Sequence, residues 1–290
     1  MPPAAALVLA LLGISLAAPL VRLSAAHPLV IALWRLGFSL VVVAVALVVS
    51  GSWREWRRLA RRDVAIAVVA GVMLALHFWS WNASVGLTTI AASATLVNLM
   101  PVFVAALSAR WLGERPTRRQ VAGIGVAMLG ALVVAAPDLL GAGGTGGARA
   151  LLGDLLAVGG AVTAAVYYVA GRRLRAEVGL WPYVGLVYGA CFVTLLLLVA
   201  ALDLRVWPQP RRELAIFAGL ALGPMLLGHT GMNYALRYLP AYVVNLTVLG
   251  EPVGATLIAM LLPGIAETPG PATLVGGAVL LGGVLVANRK

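Results

Sequence analysis

NASVGLTTIAASATLVNLMP (82–101) and NYALRYLPAYVVNLTVLGEP (233–252) are two copies of one segment, offset by 151 positions. In each, an Asn opens the stretch, small and apolar residues follow, and a Pro closes it, at Pro101 and Pro252. Farther on, Glu114 aligns with Glu267 and GIGVAMLG (123–130) with GGAVLLGG (276–283), the offset now being 153. Each half carries five long apolar stretches. An odd number of crossings sends the second half into a membrane from the opposite side. The sequence therefore predicts an inverted repeat of broken helices, the architecture in which secondary transporters bind substrate near the bilayer midplane.

Composition agrees with a membrane protein. Of 290 residues, 62% are hydrophobic and 11% charged, with a mean hydropathy of +1.00. A soluble domain carries about 25% charge. Apolar runs long enough to span a bilayer fall at 5–22, 28–49, 64–82, 89–111, 119–136, 153–171, 182–203, 214–233, 241–262 and 272–288. The expected fold is all-α and integral to the membrane, with ten transmembrane helices as two inverted five-helix repeats. Residues 1–140 form the first repeat, 141–152 a Gly-rich linker, and 153–290 the second repeat. Ala4–Leu20, followed by SAA (24–26), has the outline of a leader, but no basic residue precedes it and Arg22 interrupts the approach to the small residues. It reads as a span instead.

The net charge of +11 is spread along span ends rather than gathered on one face, which argues against a nucleic-acid partner. With the N-terminus placed in the cytoplasm, 15 Lys and Arg fall on the cytoplasmic side, among them Arg58, Arg119 and Lys290, and 5 on the other. Arg35 lies within a span. This asymmetry is the positive-inside pattern with both termini cytoplasmic. The loop 204–213 fits least well, since it puts three Arg outside. Trp53, Trp56, Trp111, Trp181 and Trp207 stand at span ends as an aromatic belt. Trp34, Trp79 and Trp81 lie deeper, where belt and cavity positions are both open.

Chemistry in the apolar phase must come from the few polar side chains there, because each costs free energy in lipid. Arg35, seven residues into its span, either snorkels to the interface or holds a substrate carboxylate. Glu251, beside Pro252, is a cavity carboxylate for an amine or a proton, or else a structural partner. His77 and Trp81 are four residues apart and share a helix face, as do His229 and Asn233. Asn98 precedes Pro101 by one turn and is placed to bond the backbone that Pro frees. The residues expected to line a midplane cavity are Arg35, His77, Trp79, Asn98, Tyr168, His229, Asn245 and Glu251. The paired prolines read as cavity-lining breaks, and Pro224, without a counterpart, as a simple kink. The glycines of the fifth and tenth spans read as close-packing surfaces, with a dimer face also open. Catalytic residues, a metal site and a cofactor are not expected. Cys191 stands alone, the three His form no HExxH, and no phosphate-binding loop is present. An intramembrane enzyme and a non-transporting scaffold are the rival readings.

The block NLMPVFVAALSARWLGERPTRRQVAGIGVAMLGALVV (98–134) and its weaker copy, LGEPVGATLIAMLL (249–262) with VGGAVLLGGVLVA (275–287), resemble the EamA-type drug/metabolite transporter superfamily along essentially the whole chain. Within it the chain looks most like the YddG-type bacterial amino-acid exporters. The second copy departs from the pattern, with GIAET (264–268) in place of WLGE and no basic loop. The resemblance implies the drug/metabolite transporter fold in a bacterial inner membrane. It also implies a central cavity lined mainly by the first, third, fourth, sixth, eighth and ninth helices. Its partners would be the lipid bilayer and a small-molecule substrate. The expected activity is export of neutral amino acids, aromatic or large apolar ones included, by alternating access. A multidrug or other metabolite exporter of the same fold is the alternative. Proton coupling, and a monomer or homodimer, stay open.

Overall fold

The structure, a computed structural model, describes residues 1–139, 147–266 and 268–288. Leu140, residues 141–146 of the expected linker 141–152, Glu267 and the terminal Arg289 and Lys290 lie outside the described residues. All regular structure among the described residues is helical. Eight helices are long and apolar enough to cross a membrane: α1 (Pro3–Leu23), α2 (Pro28–Ser50), α3 (Arg61–Leu87), α4 (Ile90–Trp111), then α6 (Ala148–Arg175), α7 (Leu180–Ala201), α8 (Arg211–Ala235) and α9 (Ala241–Leu261). Two more complete the order, α5 (Arg118–Leu139) and α10 (Pro271–Asn288).

Local chemistry sets the ends. His27 accepts the Leu29 N–H at the start of α2, with Pro28 in the first turn, and Gly51 closes the helix in the left-handed region at φ 65°. Thr89 accepts the Ala92 N–H to cap α4. Helix α3 runs to Leu87, past the expected end at Asn82. At this end Asn82 Nδ2 donates to the Pro28 carbonyl and Ser84 Oγ to Ser93 Oγ.

Both repeated segments are broken. Helix α4 halts at Val97, and a new helical segment starts at Met100 with Pro101 in its first turn. Helix α9 passes through a 3-10 turn, Val248–Gly250, and restarts at Glu251 with Pro252 in its first turn. A proline at the second helical position loses no hydrogen bond, so the break rather than a strained bend absorbs its missing donor.

Pro224 does more than kink α8. Residues Ala221–His229 form a π-helix around it. The wider turn relieves the clash of the proline ring with the preceding carbonyls. Thr230 Oγ1 donates to the Met225 carbonyl, five residues back, and pairs with Tyr188 OH at 2.9 Å.

Helices α5 and α10 pack on each other through their glycines. A Cβ placed on Gly123 or Gly130 would stand 2.5 Å from the carbonyl oxygen of Gly283 or Gly276, and the reverse also holds. Small residues permit this backbone approach where lipid supplies no hydrophobic drive between helices.

Candidate functional site

Seven helices meet around one small hollow lined by both apolar and polar side chains. Its wall is built by Ile14 and Ala17 of α1, Arg35 of α2, and His77, Phe78 and Trp81 of α3. Val97, Asn98 and Met100 at the break in α4, Tyr168 of α6, His229 of α8, and Val248 and Glu251 at the break in α9 complete it. From the 1.5 Å rise per residue, Arg35 lies about 10 Å along α2 from its first turn, and His77 about 15 Å along α3 from its last. Both are thus well inside a hydrocarbon layer of about 30 Å.

Arg35 does not snorkel. It is 1% exposed, with its guanidinium carbon 4.3 Å above the Phe78 ring centre. Nε and Nη2 have no hydrogen-bond partner among the described residues. These two groups form one edge of the planar guanidinium, the edge that receives a carboxylate through two parallel hydrogen bonds. Glu251 faces the same hollow, but no ion pair joins it to Arg35 among the described residues. Its Oε2 accepts from Asn98 Nδ2 at 3.1 Å, and the same nitrogen donates to the Ala94 carbonyl at 2.7 Å. Asn98 therefore ties the two broken helices together, and the carbonyl it takes up is that of Ala94.

The aromatic side of the hollow is a stack. His77 lies parallel to Trp81 at 6.4 Å and bonds the Gly160 carbonyl through Nδ1 at 2.9 Å. His229 presents its edge to Phe78 at 5.3 Å, and its Nδ1 is 3.2 Å from Tyr168 OH.

Two of the expected lining residues stand elsewhere. Trp79 is 38% exposed and looks away from the hollow. Successive helical residues turn by about 100°, so Trp79 lies nearly opposite His77, whereas Trp81, four residues on, shares its face. Asn245 is buried but donates to the Ala241 carbonyl one turn back and does not reach the cavity wall. Phe78, which carries the Arg35 cation, had no signal in the sequence beyond its adjacency to His77. Among the described residues no group of three or more His, Cys, Asp or Glu is placed to hold a metal ion.

Contacts between helix ends stand on either side of the hollow. At the arginine-rich end, Arg172 Nε donates to Glu114 Oε1 at 2.8 Å and its Nη1 to the Leu236 carbonyl at 2.9 Å. Arg175 Nε donates to the Asn233 carbonyl at 2.9 Å. At the other end, Glu213 accepts from Ser24 Oγ and from the Ala25 N–H at 3.1 Å, and Trp34 Nε1 donates to the Val206 carbonyl at 3.2 Å. The space left inside is about 30 Å³, room for roughly one or two waters. No solute the size of an amino acid enters without helix movement.

These features describe a multi-pass helical membrane protein with a small central cavity into which a few buried polar side chains face. The sequence pattern of the EamA-like transporter family matches residues 3–136 and again 151–289, and the chain belongs to that family. It is similar to a protein of Streptantibioticus cattleyicolor (strain ATCC 35852 / DSM 46488 / JCM 4925 / NBRC 14057 / NRRL 8057) described as a probable terminal-alkyne amino-acid exporter. The two are 30% identical over 263 residues, 87% of this chain and 82% of the relative. A solved structure titled only as the crystal structure of a protein shares the fold, with a TM-score of 0.70 and 24% identity over 99% of this chain and 94% of that one.

Proposed function

We propose that this transporter exports neutral amino acids across a bacterial inner membrane by alternating access around the Arg35–Glu251 cavity. The observation that carries the reading is the buried Arg35 edge, Nε and Nη2, which has no acceptor among the described residues and matches a carboxylate in shape and charge. Glu251 and Asn98, across the same cavity, suit the substrate ammonium. Phe78, Trp81, His77, Tyr168 and His229 supply a mostly uncharged aromatic wall for an apolar side chain. One cation and one carboxylate fit a zwitterion. A sugar phosphate calls for more cations and a polycationic drug for more acids. The relative named as an amino-acid exporter supports the same class.

We read the scaffold as ten transmembrane helices in two inverted repeats, 1–140 and 153–290. Support comes from the family pattern matching twice, from the equivalent breaks in α4 and α9, and from the reciprocal glycine contacts of α5 and α10. Alternating access would open one set of end contacts while the other stays closed. Most of these contacts involve an arginine or a carboxylate and contribute about 1.5–3 kcal/mol each, the partly exposed Glu114–Arg172 pair less. The arginine-rich end faces the cytoplasm in this reading. An impermeant thiol reagent should not reach a Cys placed at Arg58 in intact cells.

Counterflow into proteoliposomes with labelled amino acids, nucleosides and cationic drugs tests the substrate class. Exchange of neutral amino acids, with loss of uptake when the carboxylate is replaced by an amide, is the expected result. Flux of another class with none of amino acids would refute the substrate reading and leave the transporter reading intact.

A further inference from the structure

A second hollow lies on the flank of the bundle, away from the central cavity. Arg62, Ile66 and Val69 are spaced four and three residues apart on α3, so they form one stripe of that helix. Val166, Ala170 and Arg173 form the matching stripe on α6. The two stripes, with Ala65, Val169 and Trp111, enclose an apolar groove of about 360 Å³. Each stripe ends in an arginine at the same, arginine-rich, end. Beyond them the hollow opens into a wetter cleft of about 630 Å³, which Arg62 and Arg173 also line, together with Arg58, Glu55, Asp63 and Glu177.

Arg62 and Arg173 are exposed, and neither makes an ion pair or a side-chain hydrogen bond among the described residues. Two guanidinium groups at the mouth of one groove repel each other unless an anion lies between them. The groove wall carries no carboxylate. Glu55, Asp63 and Glu177 line only the cleft beyond it, and Glu55 Oε2 is already engaged by the Gly179 N–H at 2.9 Å. An anion with an apolar tail satisfies both parts of the hollow. A free phosphate would use the cleft and leave the groove unexplained. The exposed Trp111 indole beside the arginines suits headgroup depth.

We propose that this hollow binds an anionic phospholipid from the leaflet on the arginine-rich side. Its phosphodiester sits on Arg62 and Arg173, and one acyl chain runs down the Ile66–Val69 and Val166–Ala170 stripes. Basic pockets between transmembrane helices hold lipid headgroups in this manner. The lipid would also brace α3 against α6, the helices that carry His77, Trp81 and Tyr168.

The test is native mass spectrometry and thermal unfolding of the purified chain in detergent, with phosphatidylglycerol, phosphatidylcholine or inorganic phosphate added. Phosphatidylglycerol should remain bound and raise the midpoint, and phosphatidylcholine should do so far less. The double variant Arg62→Gln, Arg173→Gln should bind phosphatidylglycerol at least about tenfold more weakly while melting like the parent in detergent alone. Should that variant fail to fold, Ala170→Phe provides the second arm. It fills the groove without touching the charges, and it should weaken phosphatidylglycerol binding too. Equal binding of phosphatidylcholine, undiminished phosphatidylglycerol binding by either variant, or displacement of the lipid by millimolar inorganic phosphate overturns the proposal.

Discussion

Replacing Arg35 by Met separates a substrate-binding role from a structural one. Arg35 is 1% exposed, with two donors unpartnered and no carboxylate in ion-pair contact among the described residues. In the folded protein alone this is a buried charge without full compensation, and its desolvation costs several kcal/mol that an apolar side chain of similar size does not incur. Against that stands the loss of the stacking on Phe78 at 4.3 Å, about 1 kcal/mol for a cation over a ring. The melting midpoint of Arg35→Met in detergent should therefore equal or exceed that of the parent. Substrate binding should move the other way. Two charge-assisted hydrogen bonds to a carboxylate contribute about 1.5–3 kcal/mol each. Part is offset by desolvation of the carboxylate, leaving about 3–4 kcal/mol, or roughly 10²–10³ in affinity. Arg35→Lys keeps the charge but not the two-pronged edge and should fall between, at about tenfold. Counterflow of a neutral amino acid in proteoliposomes, with the half-saturating concentration measured for each variant, supplies the numbers. A lower melting midpoint together with unchanged substrate affinity would show that Arg35 holds the bundle together and binds no substrate.

Trp79→Ala should leave counterflow within about twofold, since this side chain faces outward, whereas Trp81→Ala opens the stack on His77 and should cost about 1 kcal/mol or more in substrate binding; equal losses from both would contradict the assigned helix face. Removing the Glu114–Arg172 contact with Glu114→Gln should favour opening at the arginine-rich end. The pair is partly exposed, at 23% and 22%, so the shift is about 1 kcal/mol or less, read as up to about fivefold faster labelling of a Cys placed at Asn98 in a Cys191→Ser background. Gly130→Leu should lower thermal stability by about 1–3 kcal/mol or prevent folding, because the added atoms meet the Gly276 and Leu280 backbone. The same change at Gly125, where a Cβ meets nothing within 4 Å, should be tolerated.

The membrane-spanning helices were legible for a simple reason. A bilayer imposes a length of about 20 apolar residues per helix, and the eight spanning helices begin and end within a few residues of the runs in the sequence. The breaks in α4 and α9 were legible too, because a proline's missing donor is a covalent property that any neighbourhood must accommodate. So was the scarcity of charge in the apolar phase, which singled out Arg35 and Glu251. What one chain's periodicity leaves undetermined is the phase of each helix about its axis and the neighbour it meets. Trp79 and Trp81 are equally apolar, two residues apart, and only the packing of α3 against α6 and α7 decides that Trp81 turns inward. Asn98 and Asn245 both sit near a break, yet Asn98 reaches Glu251 across 153 residues while Asn245 closes on its own helix. Pro224 announced a disturbance in α8. That the disturbance is a π-helix ending on His229 depends on Thr230 and Tyr188 being there to take up what it frees. Arg35 was open to a snorkelling or an inward course by sequence alone. Phe78, contributed by a different helix, lies under its guanidinium where the side chain turns inward, because a cation's resting place depends on what surrounds it.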